Sequence, residues 1–211
     1  MDAETMQNEI ARIARASQAV PGWLWPREVG ALYRQLRQSR LHFEIGSFCG
    51  KSLYVTAAAM NGGRIIAIDP LSAEVIPGQD LITPGYEWQR DVLQATIQTI
   101  RDQFSTEVEW WPVTSAEAIG EAMAQGLQFD SGYIDGNHAQ AACSADLEGW
   151  LPLIRPGGKL LGHDYYPSCM GVITAVNEFF HDDFKVIPET RIWLHQKKSG
   201  IEPEVPGNVP E

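Results

Sequence analysis

The feature that most constrains the fold is an alternation between short apolar runs and longer helical patterns. Runs rich in β-branched or aromatic residues, bounded by turn formers, predict strands at 41–45, 64–68, 108–111, 132–134 and 159–163. Helical patterns lie between them, at about 51–60, 86–103, 115–125, 139–151 and 171–181. Apolar strands that alternate with helices indicate a parallel sheet with helices on both faces.

The pattern changes at both ends of this alternation. After the last helix, the runs at 184–188 and 191–196 are joined by a short Glu-Thr turn, which predicts an antiparallel hairpin. Before the first strand, 4–18 and 26–39 read as amphipathic helices, and Pro26 suits a helix start. We therefore predict an α/β fold with a doubly wound sheet of seven strands, mostly parallel, with a C-terminal antiparallel hairpin.

The same reading divides the chain into three parts. A helical extension is predicted over 1–40 and the sheet domain over 41–196. The tail over 197–211 is dominated by Pro, Gly and Glu and is expected to be poorly ordered.

Composition narrows the class of partner. The net charge is −11, with 16 Lys and Arg against 27 Asp and Glu and no basic cluster, so a nucleic-acid partner is not expected. No apolar run approaches the roughly 18 residues of a membrane span, and the N-terminus lacks the apolar core of a signal peptide. We expect a cytoplasmic protein with no membrane partner. Three cysteines without C-x-x-C spacing predict buried free thiols.

The first predicted strand runs into the loop FEIGSFCGKS, residues 43–52. Gly46 and Gly50 let the backbone turn sharply where the next helix begins. They enclose three residues, one fewer than a phosphate-binding P-loop requires, and Phe48 breaks the dinucleotide fingerprint G-x-G-x-x-G. A tight turn with no ligand remains an alternative.

Two acidic residues favour a cationic ligand at this loop. Glu44 precedes the first glycine and would repel phosphate, but it suits a ligand with positive charge. Asp69 ends the second strand, where a carboxylate binds a ribose diol in dinucleotide sites. A nucleoside with a cation and no phosphates is S-adenosylmethionine (SAM).

Five motifs in chain order resemble the class I SAM-dependent methyltransferases. They are E-I-G-S-x-x-G, I-D-P, Y-I-D-G-x-H, L-x-x-W-L-P-L-x-R-P-G-G-x-L-x-x-H-D-Y and G-V-x-x-A-V, spread over about 41–195. The chain looks most like the small-molecule O-methyltransferase branch, which includes macrocin- and mycinose-type sugar methyltransferases and cephalosporin-biosynthesis relatives. The resemblance implies a Rossmann-like sheet, SAM as cofactor and a small hydroxylated molecule as acceptor.

The resemblance also implies cofactor-binding residues. Glu44, Gly46 and Gly50 would line the methionine end of SAM, with Ser47 and Ser52 close by, and Asp69 would accept the ribose hydroxyls. Near the adenine, the resemblance points to Thr114 and Ser115. A helix cap formed with Glu117 is the alternative for those two residues.

Asp135 and His138 end the fourth strand in the motif YIDGNH. By the resemblance, Asp135 ligates a divalent cation beside the cofactor and His138 takes the proton of the acceptor hydroxyl. A metal can lower the pKa of a bound alcohol, and a neutral histidine is a suitable base near pH 7. The alternative is that Asp and Gly simply begin the turn that leaves the strand.

His163 and Asp164 follow the fifth strand and complete the predicted metal ligands. Asp164 fits the family pattern, whereas His163 stands where the relatives have an acidic residue. The set Asp135, His163 and Asp164 would hold Mg²⁺ or, because imidazole is present, a transition ion. Alternatively, His163 is the base or a supporting partner and no metal binds.

Several other residues have predicted roles in acceptor contact or in packing. The long segment 71–88 is predicted to cover the acceptor site, with Tyr86 and Trp88 as contacts. Tyr165 and Tyr166 are further candidates for contact with the acceptor. Packing roles are predicted for His42 and His195. Packing is also predicted for Trp23 and Trp25, with a substrate lid or a dimer contact as the alternative.

We therefore predict a SAM-dependent O-methyltransferase in which Asp135, His138 and Asp164 act on the acceptor. Two alternatives stay open at this point, a non-catalytic SAM-binding protein and a NAD-linked oxidoreductase on a similar fold. A homodimer formed through the N-terminal helices is also possible from the sequence.

Overall fold

The computed structural model describes residues 2–71 and 85–199. Within them, strands β1 to β7 are Leu41–Ile45, Gly63–Ile68, Thr106–Trp111, Phe129–Ile134, Ile154–Gly162, Lys185–Val186 and Trp193–Gln196. Helices α1 to α7 are Ala3–Ala16, Pro26–Leu36, Lys51–Met60, Tyr86–Gln103, Ser115–Ala124, Gln140–Trp150 and Met170–Phe180. None of the helices in this described part is long and apolar enough to traverse a bilayer.

The strands form one mixed sheet with the order β3-β2-β1-β4-β5-β7-β6. Strands β1 to β5 are parallel, and β7 runs antiparallel to both β5 and β6. The predicted seven-stranded, doubly wound fold is therefore confirmed, although β6 is only two residues long. The strand order reverses between β1 and β4, so their carboxyl ends flank the crevice in which such sheets bind ligands.

Each face of the sheet carries its own apolar core because successive strand residues point to opposite faces. Tyr133 and Leu161 pack with α1 to α4, whereas Phe43 and Phe129 pack with α5 to α7. The Phe43 ring lies 4.1 Å from the Trp150 ring, and both side chains are fully buried. Burial on both faces is the reason that the strands read as continuous apolar runs.

Helix α2 brings the N-terminal segment to the carboxyl end of the sheet. Pro26 occupies its first turn, and Val29 and Leu32 are fully buried against the core of the α1 to α4 face. At the start of the same helix, Glu28 is also buried, at 2% exposure. A buried carboxylate needs hydrogen-bond or ion-pair partners that replace water, and Glu28 has such partners at the carboxyl end of the sheet.

Candidate functional site

The glycine loop lies directly against the end of β4. Gly46 has φ +80°, and a Cβ at this position would come within 2.0 Å of the carbonyl oxygen of Asp135. Gly50, with φ +87°, directly precedes α3 in the left-handed conformation that favours glycine. The loop therefore requires its glycines for backbone geometry and brings the start of α3 to the strand ends.

Glu44 is a fully buried carboxyl beneath this loop. Its Oε1 accepts a hydrogen bond from Ser52 Oγ at 2.7 Å, whereas its Oε2 has no partner within the described residues. Burial raises the pKa of Glu44 to about 8, and the nearby carboxylates of Asp135 and Asp69 add to the shift. The Ser47 hydroxyl is likewise buried with no hydrogen-bond partner in the described part of the chain. Both groups are available to a polar, cationic ligand.

Asp69 joins the glycine loop to the end of β2. Its Oδ2 accepts the backbone N–H of Phe48 at 2.8 Å, and its Oδ1 accepts that of Leu71 at 2.9 Å. Burial raises the pKa of Asp69, and these two hydrogen bonds oppose the rise. Each carboxylate oxygen keeps a second lone pair for a ligand, so contact of Asp69 with a ribose stays a prediction.

Thr114 and Ser115 have partners within the protein. The carboxylate of Glu117 accepts a hydrogen bond from the backbone N–H of Thr114 at 2.9 Å. This contact caps the start of α5, as predicted by the alternative role of Thr114 and Ser115. The Ser115 hydroxyl donates to Asp146 and accepts from Trp150 Nε1 at 2.9 Å. Contact of either residue with adenine therefore remains a prediction, whereas the cap is observed.

Asp164 lies at the centre of the predicted acceptor side. Its Oδ2 is 3.1 Å from Nε2 of His138, and its Oδ1 is 3.4 Å from Nδ1 of His163. Asp135 Oδ1 completes the group, 3.7 Å from His163 Nδ1 and 4.0 Å from His138 Nε2. The structure thus brings together the four residues that the sequence placed at the ends of β4 and β5.

Charge determines the protonation of this cluster. Burial alone would raise the pKa of Asp164, but the two imidazoles hold it well below the usual value. Burial disfavours the charged form of His163, yet contacts with Asp164 and Glu28 outweigh it and raise its pKa to about 10. The hydrogen bond to Asp164 also raises the pKa of His138. For Asp135, burial raises the pKa to about 6.

Glu28 is one of the residues of this site that the sequence did not indicate. Its Oε1 lies 3.3 Å from His163 Nε2, within ion-pair distance although the N–H is not aligned for a hydrogen bond. The same oxygen accepts the backbone N–H of Arg191 at 3.1 Å, and Oε2 accepts that of Trp25 at 2.9 Å. In the sequence, a glutamate in the first turn of a helix signals only a cap.

The donor set fits a divalent cation. Asp135, His163 and Asp164 each offer one ligand atom, and these atoms lie within 4.8 Å of one another. A carboxylate behind the ligating imidazole, as Glu28 lies behind His163, is the usual support of a metal-bound histidine. A second set with the same spacing is His138, Asp164 and Cys169. Cys169 is only partly buried, so the prediction that all three cysteines are buried is wrong for this residue.

Two exposed aromatic side chains lie against Arg191, which in turn contacts Asp164. Trp25 is 58% and Tyr166 45% exposed, and the Arg191 guanidinium lies 4.3 Å from the Tyr166 ring and 5.7 Å from the Trp25 ring. Arg191 Nη1 is 4.0 Å from Asp164 Oδ1. We call Trp25, Tyr166 and Arg191 the aromatic rim. Trp23 is 61% exposed, and its ring centroid lies 5.4 Å from that of Phe48, so the two tryptophans lie at the surface and not in the core.

Other predicted residues lie away from the cluster or outside the described chain. Tyr86 and Trp88 begin α4 and are partly exposed, but 72–84 lie outside the described residues. His42 is buried and bonded to Ser131 at 2.7 Å, and burial lowers its pKa to about 3, as befits a packing residue. His195 is buried and stacks on the Phe180 ring at 4.4 Å.

Comparison with known proteins agrees with this arrangement. The model of a family described as a methyltransferase domain matches residues 43–165, more than half of the chain. An O-methyltransferase from Bacillus cereus, solved with S-adenosylhomocysteine (SAH), superposes with a TM-score of 0.59 at 17% identity, covering 93% of each chain.

Two further solved structures share the fold. The TDP-rhamnose 3′-O-methyltransferase of calicheamicin biosynthesis gives a TM-score of 0.56 at 16% identity and covers 93% of this chain and 96% of its own. A SAH-bound methyltransferase from Podospora anserina gives 0.59 at 11% identity and covers 91% and 88%.

Proposed function

The chain belongs to the methyltransferase-domain family and is a SAM-dependent methyltransferase, and we propose that it transfers the methyl group to a hydroxyl of a small-molecule acceptor. The observation that carries the proposal is the contact of His138 with Asp164 beside the glycine loop, at the carboxyl ends of β4 and β5. Family membership sets aside the alternative of a NAD-linked oxidoreductase.

On the cofactor side, Oε2 of Glu44, which has no partner among the described residues, would accept a hydrogen bond from the ammonium group of SAM. The carboxyl is fully buried, so its unpaired oxygen costs free energy until a donor reaches it. Gly46 keeps the backbone close to Asp135, which would place the sulfonium methyl near the end of β4. These contacts would bind and orient the donor.

On the acceptor side, His138 acts as the general base. Asp164 orients the imidazole from 3.1 Å and increases its basicity by stabilising the protonated form. The hydroxyl proton passes to His138 while the oxygen attacks the methyl carbon in line, and the C–S bond breaks to leave neutral SAH. Holding both reactants in this alignment supplies much of the rate acceleration.

A divalent cation would be held by Asp135, His163 and Asp164, whose ligand atoms lie close enough together for a single ion. When bound, it would lower the pKa of the acceptor hydroxyl. In the metal-free protein, a proton on His163 balances part of the carboxylate charge, because the neighbouring carboxylates raise the pKa of this histidine.

The aromatic rim is the proposed contact surface for the body of the acceptor. Rings exposed to solvent beside Asp164 offer flat faces for a sugar or phenol ring. The similar fold of an enzyme named for methylating a TDP-linked sugar supports a small-molecule acceptor of this kind.

The test is acceptor-dependent release of SAH. Protein stripped with a chelator would be incubated with SAM and a panel of sugars and phenols, with and without Mg²⁺, Mn²⁺ or Zn²⁺. Release with one acceptor class supports the proposal, and loss of release without ions supports the metal. SAM binding with no release from any hydroxylated acceptor would argue for a binding protein instead.

A further inference from the structure

Glu28 connects three segments of the chain through one buried carboxylate. It lies in α2, accepts the backbone N–H groups of Trp25 and Arg191, and faces the imidazole of His163. Its 2% exposure means that water contributes little to its solvation. A carboxylate buried to this degree is stable only because these partners replace water.

The two nitrogens of His163 face different groups. Nε2 lies 3.3 Å from Glu28, and Nδ1 lies 3.4 Å from Asp164 and 3.7 Å from Asp135. Carboxylates only accept hydrogen bonds, so both nitrogens can carry a proton in the metal-free protein. A cation held by Asp135 and Asp164 would replace the proton on Nδ1, whereas Glu28 would keep the proton on Nε2.

We infer that Glu28 is a positioning residue that holds His163 with Nδ1 towards Asp135 and Asp164, so that α2 helps to build the cation site. This inference rests on the metal assistance in the proposed function. The same carboxylate supports the aromatic rim, because its two backbone partners belong to Trp25 and Arg191. One side chain therefore sets the relative position of the cation site and the acceptor surface.

Glutamine cannot replace Glu28 in this arrangement. Its amide has only one acceptor oxygen. The NH₂ group would take the place of the other carboxylate oxygen and would face an N–H group that now donates a hydrogen bond to that oxygen.

Helix capping alone does not explain the position of Glu28. Glu117 caps α5 through the backbone N–H of Thr114 without contacting an imidazole. Glu28→Gln and Glu117→Gln are therefore matched variants, since each removes a capping carboxylate and only the first also touches His163.

The test measures Mn²⁺ affinity in chelator-stripped protein from the electron paramagnetic resonance signal of the free ion. We expect Glu28→Gln to bind Mn²⁺ about 10- to 100-fold more weakly, and Glu117→Gln to match the wild type. Equal affinity in Glu28→Gln would overturn the role of Glu28 and leave the cation site standing. Absence of binding to the wild type would overturn the inference, whatever the methyl-transfer assay shows.

A second measurement uses the wild-type protein and does not depend on whether Glu28→Gln folds. Nitrogen-15 spectra of the imidazoles, recorded with bound Zn²⁺ and assigned by loss of the His163 signals in His163→Gln, report which nitrogen binds the ion. We expect coordination through Nδ1 with a proton retained on Nε2. Coordination through Nε2, or a His163 that does not bind the ion, would contradict the inference.

Discussion

The cofactor side and the acceptor side of the crevice are built in different ways. On the cofactor side, at the ends of β1 and β2, contacts use the backbone: Gly46 touches the carbonyl of Asp135, and Asp69 accepts two backbone N–H groups. On the acceptor side, at the ends of β4 and β5, charged side chains contact one another, with Asp164 between two imidazoles.

Because of this difference, substitutions on the two sides should affect different properties of the protein. Backbone contacts leave little conformational freedom, so changes on the cofactor side should affect folding and SAM binding together. Side-chain ion pairs depend on protonation and on bound cations. Changes on the acceptor side should therefore affect turnover while SAM still binds.

The largest expected effect is on the cofactor side, from Gly46→Ala. A Cβ 2.0 Å from a backbone oxygen has no room, and φ +80° adds strain. We expect a loss of about 3 kcal/mol or more in the free energy of unfolding and no measurable SAM binding. Gly126→Ala is the control. Gly126 has φ +64°, but a Cβ at this position would meet no atom of the described residues within 4 Å, so only about 1–2 kcal/mol of strain is expected. Equal losses in the two variants would show that the close approach to Asp135 is unimportant.

The next effect is on the acceptor side, from His138→Ala. Removing the base should lower kcat by about 10²- to 10⁴-fold. SAM affinity, measured by isothermal titration, should stay close to that of the wild type, because within the described residues the side chain of His138 contacts Asp164, Asp135 and Cys169 and not the glycine loop. A parallel loss of SAM affinity would make His138 a structural residue and would remove the distinction between the two sides.

Glu44 predicts a pH dependence of SAM binding. Burial raises its pKa to about 8, so in the free protein the carboxyl is protonated at pH 7. A bound cation favours the carboxylate, so binding releases about one proton, and SAM affinity falls as the pH decreases below 8. Titrations in phosphate and Tris at pH 7 should differ in apparent enthalpy, and Glu44→Gln should abolish the difference. The same enthalpy in both buffers for the wild type would place Glu44 outside the cofactor site.

The smallest expected effect is on the aromatic rim. Tyr166→Ala removes an exposed ring that stacks on Arg191 beside Asp164. We expect the KM of the acceptor to rise about two- to tenfold, as for the loss of one stacking contact of about 0.5–1.5 kcal/mol, with kcat nearly unchanged. Met123→Ala, at a side chain 63% exposed on α5, is the control. An unchanged acceptor KM in Tyr166→Ala would exclude the rim from the acceptor site.

Much of the site could be predicted from short stretches of sequence. Asp135 and Asp164 each follow an apolar run, and parallel strands bring their carboxyl ends to one edge of the sheet. The pairing of these two residues in one site was implied by the resemblance to the methyltransferases. Glu44 and Asp69 could be placed in the same way. The confirmed fold rests on similarly local signals, because apolar runs and turn formers define each strand without reference to distant residues.

Glu28, Trp25 and Arg191 could not be recognised in this way. Glu28 resembles any glutamate in a first helical turn, and the packing assigned to Trp23 and Trp25 followed from their apolar side chains. Whether such residues are buried or exposed depends on which distant segment packs beside them, and periodicity within one segment carries no information on that.

The sequence by itself determined the alternation of strands and helices, the glycine turns and the acidic residues at the strand ends, because each depends on local backbone preference. Only the tertiary structure decided that the carboxylate of Glu28 reaches His163 and that Trp25 and Tyr166 are exposed and lie against Arg191, which reaches Asp164. These facts depend on contacts between segments far apart in the chain, whose free energy appears only when the sheet has formed and α2 has packed against it.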